Sequence, residues 1–124
     1  MPTVKLTTQK FKDEIFDYTT EKEWKYNGDK PAIIDFYADW CIPCKELDAL
    51  TFSDPRVIEI SKSFAAFKVD MTKTLSDETE RIREKFNIRG MPTVLLISSN
   101  GEEVERITGF VNADEFLQLF SSIN

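Results

Sequence analysis

The sequence predicts an α/β domain, a mixed central sheet with an antiparallel hairpin at one edge and helices on both faces. Three observations carry that expectation. The apolar runs Ala32–Tyr37, Phe64–Val69 and Val94–Ile97 have the branched and aromatic content of buried strands. Segments with helical spacing of apolar residues separate them. Ser99-Asn100-Gly101-Glu102, between the last run and Val104–Ile107, is an Asn-Gly hairpin signal. At 124 residues the chain fits one domain, 1–124, able to bury a core without staples.

The elements follow in order. Val4 to Leu6 reads as a short edge strand. Phe11, Ile15, Phe16 and Tyr18 mark an amphipathic first helix, and Asn27-Gly28-Asp29-Lys30-Pro31 a turn. The strand Ala32–Tyr37 follows, broken only by Asp35. Cys41 to about Leu50 reads as a helix, with Leu47 and Leu50 on the side of Cys44. Ser53-Asp54-Pro55 stops that helix and starts another, Asp54 capping and Pro55 in the first turn, with Val57, Ile58 and Ile60 as its apolar positions. After the strand Phe64–Val69, Ser76 opens a helix that turns Ile82 and Phe86 inward. Arg89–Thr93 is a loop, and Val94–Ile97 and Val104–Ile107 form the hairpin. Asn112-Ala113-Asp114-Glu115 resembles a capping box, leading a last helix with Phe116, Leu117 and Phe120 as its inner stripe. The order is β-α-β-α-β-α-β-β-α, and strands separated by helices call for right-handed parallel crossovers.

Composition removes several function classes. Hydrophobic residues make up 41% and charged residues 31%, unlike a disordered tail. The apolar runs are too short to span a bilayer. Residues 1–5 show no basic stretch leading into an apolar one, so neither a signal peptide nor a transmembrane segment is expected in this chain. A net charge of −6 disfavours nucleic acid as a partner. The mixed run Glu78–Lys85 reads as a solvated helix face. There is no histidine, which removes Ser–His and Cys–His catalysis and most zinc sites.

Chemistry therefore begins at Cys41-Ile42-Pro43-Cys44. Two buried structural thiols are one reading, but this spacing at a strand–helix junction after Trp40 is an unusual way to fill a core. A zinc site needs two more ligands and an iron–sulfur cluster four thiolates, so no metal and no cofactor are expected. A purely structural disulfide would close so short a loop that it barely restrains the unfolded chain. Redox catalysis is the favoured reading. Cysteines three apart on the first turn bring their sulfurs within bonding distance. Cys41, exposed at the helix N-terminus, is expected to be the low-pKa attacking thiolate, and Cys44, shielded one turn inside, the resolving thiol. Pro43 is tolerated because first-turn amides lack intrahelical partners. Asp35 is a second local inconsistency, a charge inside Ile-Ile-Asp-Phe-Tyr. Burial would raise its pKa toward neutrality and suit it to proton exchange with Cys44. An aspartate on the solvent face of an edge strand is the alternative.

These residues resemble the thioredoxin superfamily. Asp35-Phe36-Tyr37-Ala38-Asp39-Trp40-Cys41-Ile42-Pro43-Cys44-Lys45 is similar to its active-site strand and helix, and Phe86-Asn87-Ile88-Arg89-Gly90-Met91-Pro92-Thr93 to its second signature loop. Gly109 falls where the family has a glycine after the last strand. The segment Glu23–Trp40 is closer to bacterial thioredoxins. Cys44–Asp48, Thr51–Val57 and Ile107–Phe110 are similar to the C-terminal domain of the DsbD family. The two parts thus point to different relatives, the pattern of a hybrid or of an intermediate sequence. The resemblance implies the thioredoxin fold, with Cys41 attacking, Cys44 resolving and Asp35 beneath them. It also implies a cis-proline at Pro92 that faces the disulfide and receives the substrate backbone, against the simpler reading of a loop proline. Asp48 matches an acidic position that tunes the cysteine pKa in the DsbD domain; a plain surface residue is the alternative. Trp40, Ile42 and Met91 are expected to form a flat docking surface, with core packing as the alternative for each.

Two departures stand out. Ile42 replaces the glycine of plain thioredoxins. The lysine that pairs with the buried aspartate in thioredoxins has no clear counterpart, because Ala66 falls there and Lys68 lies two residues on along the same strand face, so an ion pair with Asp35 is not expected. The resemblance implies a protein-disulfide reductant or electron relay acting on disulfides and dithiols of partner oxidoreductases. Its electron donor would be a reductase or a membrane thiol domain. A DsbD-like role would place it on the extracytoplasmic or periplasmic side and a plain thioredoxin role in the cytoplasm. A monomer is expected. A non-catalytic binding module of the same fold is the alternative function.

Overall fold

The computed structural model describes residues 4–6, 30–73 and 76–120. Five strands are formed: β1 Val4–Leu6, β2 Ala32–Tyr37, β3 Ala65–Asp70, β4 Thr93–Ile97 and β5 Glu103–Thr108. They make one sheet in the order β1-β3-β2-β4-β5. The helices are α1 Ile42–Glu46, which runs on into a π-helical turn Leu47–Thr51, then α2 Pro55–Ser61, α3 Asp77–Phe86 and α4 Ala113–Phe120. The expected helix around Phe11–Tyr18 and most of the turn at 27–31 lie outside the described residues.

β1 and β2 both run parallel to β3, whereas β4 is antiparallel to β2 and to β5. The expectation of parallel crossovers therefore fails at β4. After α3 the chain enters the sheet on the far side of β2 and runs antiparallel to it, so no parallel crossover forms there.

Strand alternation divides the interior between two faces. On one, Ala32, Ile34 and Phe36 of β2 pack with Val69, Leu95 and Ile97 and with Ile82 and Phe86 of α3. The Phe36 and Phe86 rings lie 5.7 Å apart. On the other, Ile33 packs with Leu47, Phe52, Val57, Leu96, Ile107, Phe116 and Phe120, beneath α1, α2 and α4. Helices thus cover both faces, as the periodicity implied.

Caps fall where the sequence signals them. Asp54 accepts the Arg56 N–H at 2.8 Å with Pro55 in the first turn of α2, Ser76 accepts the Thr79 N–H, and Asn112 accepts the Glu115 N–H at 2.9 Å. Asn87, left-handed at φ 52°, closes α3. Gly101 supplies the positive φ of 91° in the hairpin.

Two side chains depart from expectation. Leu50 is 62% exposed rather than inward beside Cys44. The i→i−5 bond from Phe52 N–H to Leu47 O (2.9 Å) widens the turn and rotates Leu50 outward. Val104 is half-exposed because β5 carries a bulge. Leu96 pairs with Glu105 and Ile97 with Glu103, so Val104 has no opposite residue.

Candidate active site

β2, the central strand, delivers the chain to the end of the sheet, and Ala38–Trp40 then turns it into α1. Three bonds hold that turn. The Cys41 N–H donates to Ala38 O at 3.1 Å, the Asp39 N–H to Thr72 Oγ1 at 2.9 Å, and the Trp40 indole N–H to Thr72 O at 3.4 Å. Thr72 is itself oriented by Asp70, whose Oδ1 accepts its N–H at 2.9 Å and also its hydroxyl. Cys41 is the N-cap of α1, and its Sγ accepts the Cys44 N–H at 3.1 Å. The two sulfurs are joined in a disulfide across Cα atoms 5.3 Å apart. The backbone N–H aimed at Cys41 Sγ favours negative charge on that sulfur once the bond opens.

The expectation of an exposed Cys41 and a shielded Cys44 needs correction. In this disulfide form both are buried, at 4% and 5% exposure, packed with Ala38 and flanked by Tyr37 and Met91. The asymmetry lies instead in the neighbours. Trp40 and Ile42 beside Cys41 are 58% and 63% exposed, so neither is core packing. Met91 is partly buried against the cysteines, and the Met91–Pro92 peptide bond is cis. Pro92 is buried, and its carbonyl accepts the Gly109 N–H at 2.9 Å.

On the sheet face that carries α1 lies a polar group of four, of which Tyr37 also packs against the cysteines. Asp35 is 2% exposed, and its Oδ1 receives no hydrogen bond from the described residues. Burial pushes its pKa up to about 7; the Lys68 charge opposes the rise and the Asp48 charge adds to it. The residue opposite Asp35 in the register is Lys68, while Ala66 pairs with Ile33. A lysine therefore stands opposite the buried aspartate, on the strand face where the sequence places it. Lys68 Nζ bonds not to Asp35 but to Asp48 Oδ2 at 2.6 Å, and it lies 4.6 Å from the Tyr37 ring centroid. Asp48 is thus brought into the group by the π turn. Burial also raises the Tyr37 pKa, with Asp70 and Asp39 adding to the rise.

A buried disulfide with a neutral-range carboxyl on the same sheet face and exposed apolar side chains beside it suits proton-coupled sulfur exchange. The thioredoxin-like domain model matches residues 18–124. The chain belongs to the thioredoxin-like domain family. Over 120 residues it is 40% identical to the thiol:disulfide interchange protein DsbD of Haemophilus ducreyi, covering 93% of this chain but 21% of that protein. Over 113 residues it is 36% identical to the thioredoxin of Borreliella burgdorferi, covering 91% and 90%. Among solved structures, the oxidised C-terminal domain of Neisseria meningitidis DsbD superposes with a TM-score of 0.68 at 35% identity, covering 77% of this chain and 82% of that domain. The Malassezia sympodialis thioredoxin, 23% identical with a TM-score of 0.67, shares the fold. The thioredoxin fold and the kinship to both DsbD and thioredoxin are thereby established. It spans about a fifth of the length of the Haemophilus ducreyi relative.

The sequence reading missed Thr72, which holds the Trp40 turn, and the Lys68–Asp48 pair. Thr72 carries no local signal, since its partners lie 32 and 33 residues away. Alternation along β3 did place Lys68 on the face of Ala66, but its bond to Asp48, 20 residues away, has no local signal.

Proposed function

We propose that the protein reduces disulfides in partner proteins, as a terminal reductant or an electron relay. In the dithiol form the Cys41 thiolate attacks one sulfur of the partner's disulfide. A mixed disulfide forms and the partner's other sulfur leaves as a thiolate, taking up a proton. Cys44 then loses its proton toward Asp35 and attacks Cys41 Sγ. The mixed disulfide breaks, the partner leaves as a dithiol, and Cys41–Cys44 is left as the disulfide seen in the structure. Two electrons pass to the partner, and its two thiolates take up two protons, one matching that lost by Cys44 and one drawn from water.

The observation that supports this reading best is the buried Asp35, whose Oδ1 receives no hydrogen bond among the described residues, on the face that carries the cysteine helix. A purely structural disulfide has no use for a carboxyl held near neutrality, whereas a resolving thiol needs a proton acceptor there. Trp40, Ile42, Met91 and Pro92 would receive the partner's backbone around the sulfurs. Asp48 would tune the pair through Lys68. Pro43 between the cysteines, and no histidine there, favours the reducing end of the family's range, nearer roughly −270 mV than −120 mV. Were the DsbD likeness to govern, electrons would come from a membrane thiol domain on the extracytoplasmic side; were the thioredoxin likeness to govern, from a soluble reductase.

Insulin reduction driven by dithiothreitol tests the reading. Acceleration well above dithiothreitol alone is expected, and none would leave a binding module of the same fold. An equilibrium potential against glutathione near −120 mV would overturn the reductant direction.

A further inference from the structure

Lys68 stands where a simple ion pair should form, and it does not form that pair. In the register of β2 with β3 it lies opposite Asp35, and both residues are buried. A buried carboxylate draws a facing ammonium strongly, because little water screens the two charges. Yet Asp35 Oδ1 receives no hydrogen bond among the described residues. The Lys68 ammonium instead bonds to Asp48 Oδ2 at 2.6 Å and stands 4.6 Å from the centroid of the Tyr37 ring. Asp48 is half-exposed, so water weakens its pull. The aromatic face supplies a second hold, and such a contact is strongest where water is scarce. Tyr37 also packs against Ala38, Cys41 and Cys44. One ring therefore touches both the disulfide and the cation nearest the buried carboxyl.

We propose that Tyr37 is a positioning residue for the resolving step: its ring holds the Lys68 ammonium toward Asp48, so that the Asp35 carboxyl stays unpaired and open to the Cys44 proton. Burial raises Asp35 and the Lys68 charge opposes the rise, so where that charge sits sets how basic the carboxyl is. Without the ring the ammonium turns to the carboxylate it faces, and a paired carboxylate is the weaker base. The remaining neighbours do not exert this control. Val94, opposite Asp35 on β4, is apolar. Burial, then Asp70 and Asp39, keep the Tyr37 phenol protonated, so the ring face and not a phenolate acts on Lys68. A ring that only filled space beside the disulfide would give Asp35 no reason to depend on Lys68. This inference rests on the resolving step proposed above.

The test follows the Asp35 carboxyl by carbon-13 chemical shift in the disulfide form of the full chain, alongside the pH profile of insulin reduction driven by dithiothreitol. Wild-type protein without activity overturns the redox reading itself, whatever the titrations show. With active wild type, Tyr37→Leu is expected to move the Asp35 midpoint down by about one pH unit, a tenfold loss of proton affinity. The acid limb of kcat should move down with it. Tyr37→Phe, which keeps the ring face, should restore both. In the Lys68→Met background Tyr37→Leu should move neither, since the cation is gone. Equal shifts in both backgrounds would mean that the ring only excludes water, and they overturn the proposal. So does a phenylalanine variant that behaves like leucine, or a moved carboxyl with an unmoved kcat limb. Should Tyr37→Leu not fold, wild type still decides. The ring current of Tyr37 should push the Lys68 Cε protons upfield, and ordinary shifts for them overturn the proposal.

Discussion

β2 and β3 present two different chemistries on their two faces. Toward α3 they show Ala32, Ile34, Phe36 and Val69, all with negligible exposure and none polar. Toward α1 the same strands show Ile33 and Ala66 and then, nearer the cysteines, Asp35, Lys68 and Tyr37. Residues one step apart in sequence thus serve stability on one side and proton and charge placement on the other. The difference teaches where tolerance ends: the α3 face should answer to volume, the α1 face to charge.

The sharpest way to break that division is at the sulfurs. Cys41→Ser should lower insulin-reduction turnover on the order of 10⁴-fold or more, because the attacking atom is gone and the other groups of the unit have nothing to assist. Cys44→Ser should still attack once and then accumulate the mixed disulfide, visible by mass. A Cys41→Ser variant with full activity would reverse the assignment of nucleophile and resolver.

Volume loss on the opposite face comes next. Phe36→Ala removes a fully buried ring that lies against Phe86 and should cost about 3–5 kcal/mol of stability by denaturant unfolding. Turnover per folded molecule should stay within about twofold. A large fall in turnover by molecules still folded would mean the two faces are not separable.

Asp35→Asn tests the charged face by stability and rate together. In the fold Asp35 keeps its proton up to about 7, against an ordinary value of 3.8. Between those values the folded chain holds a proton the unfolded chain has lost. Stability therefore falls as pH rises through that window, and the loss is complete above about 7. Asparagine escapes it, so its stabilising effect should be about 2–3 kcal/mol larger at pH 8 than at pH 5. Resolution of the mixed disulfide should slow by about 10²-fold. A pH-independent effect on stability would place Asp35 in water rather than in the core.

Legibility in the sequence followed the same division. The α3 face was readable because burial on one face is a repeating pattern: Ile82 and Phe86, four apart, and the runs in β2 and β4 announce it. Cys41, Cys44, Asp35 and Pro92 were readable because each is a local anomaly or belongs to a short motif. The Lys68–Asp48 pair and the Thr72 anchor were not, because each is set by strand register or by contacts 20 to 33 residues apart. The π turn was unreadable for another reason. Leu47–Thr51 contains no glycine or proline to announce a change of pitch, so an ordinary helix turned Leu50 inward on paper and the wider turn puts it in solvent.

The smallest expected effect is the most discriminating. Lys68 sits opposite Asp35 yet bonds to Asp48, so one cation is shared between two carboxylates of unequal burial. Its charge lowers the Asp35 pKa and that of Asp48 raises it. Lys68→Met should move the Asp35 titration, followed by carboxyl infrared absorption or carbon-13 chemical shift, to higher pH. Asp48→Asn should move it lower for two reasons, since one negative charge is removed and Lys68 is released toward Asp35. The stability cost should be small, about 1 kcal/mol or less for the half-exposed ion pair with a comparable amount for the Tyr37 stacking. Opposite shifts from the two variants would show that the pair tunes the buried carboxyl. Shifts of the same sign would mean that packing around Tyr37, not charge, governs Asp35, and the contrast between the two faces would then be one of polarity without electrostatic control.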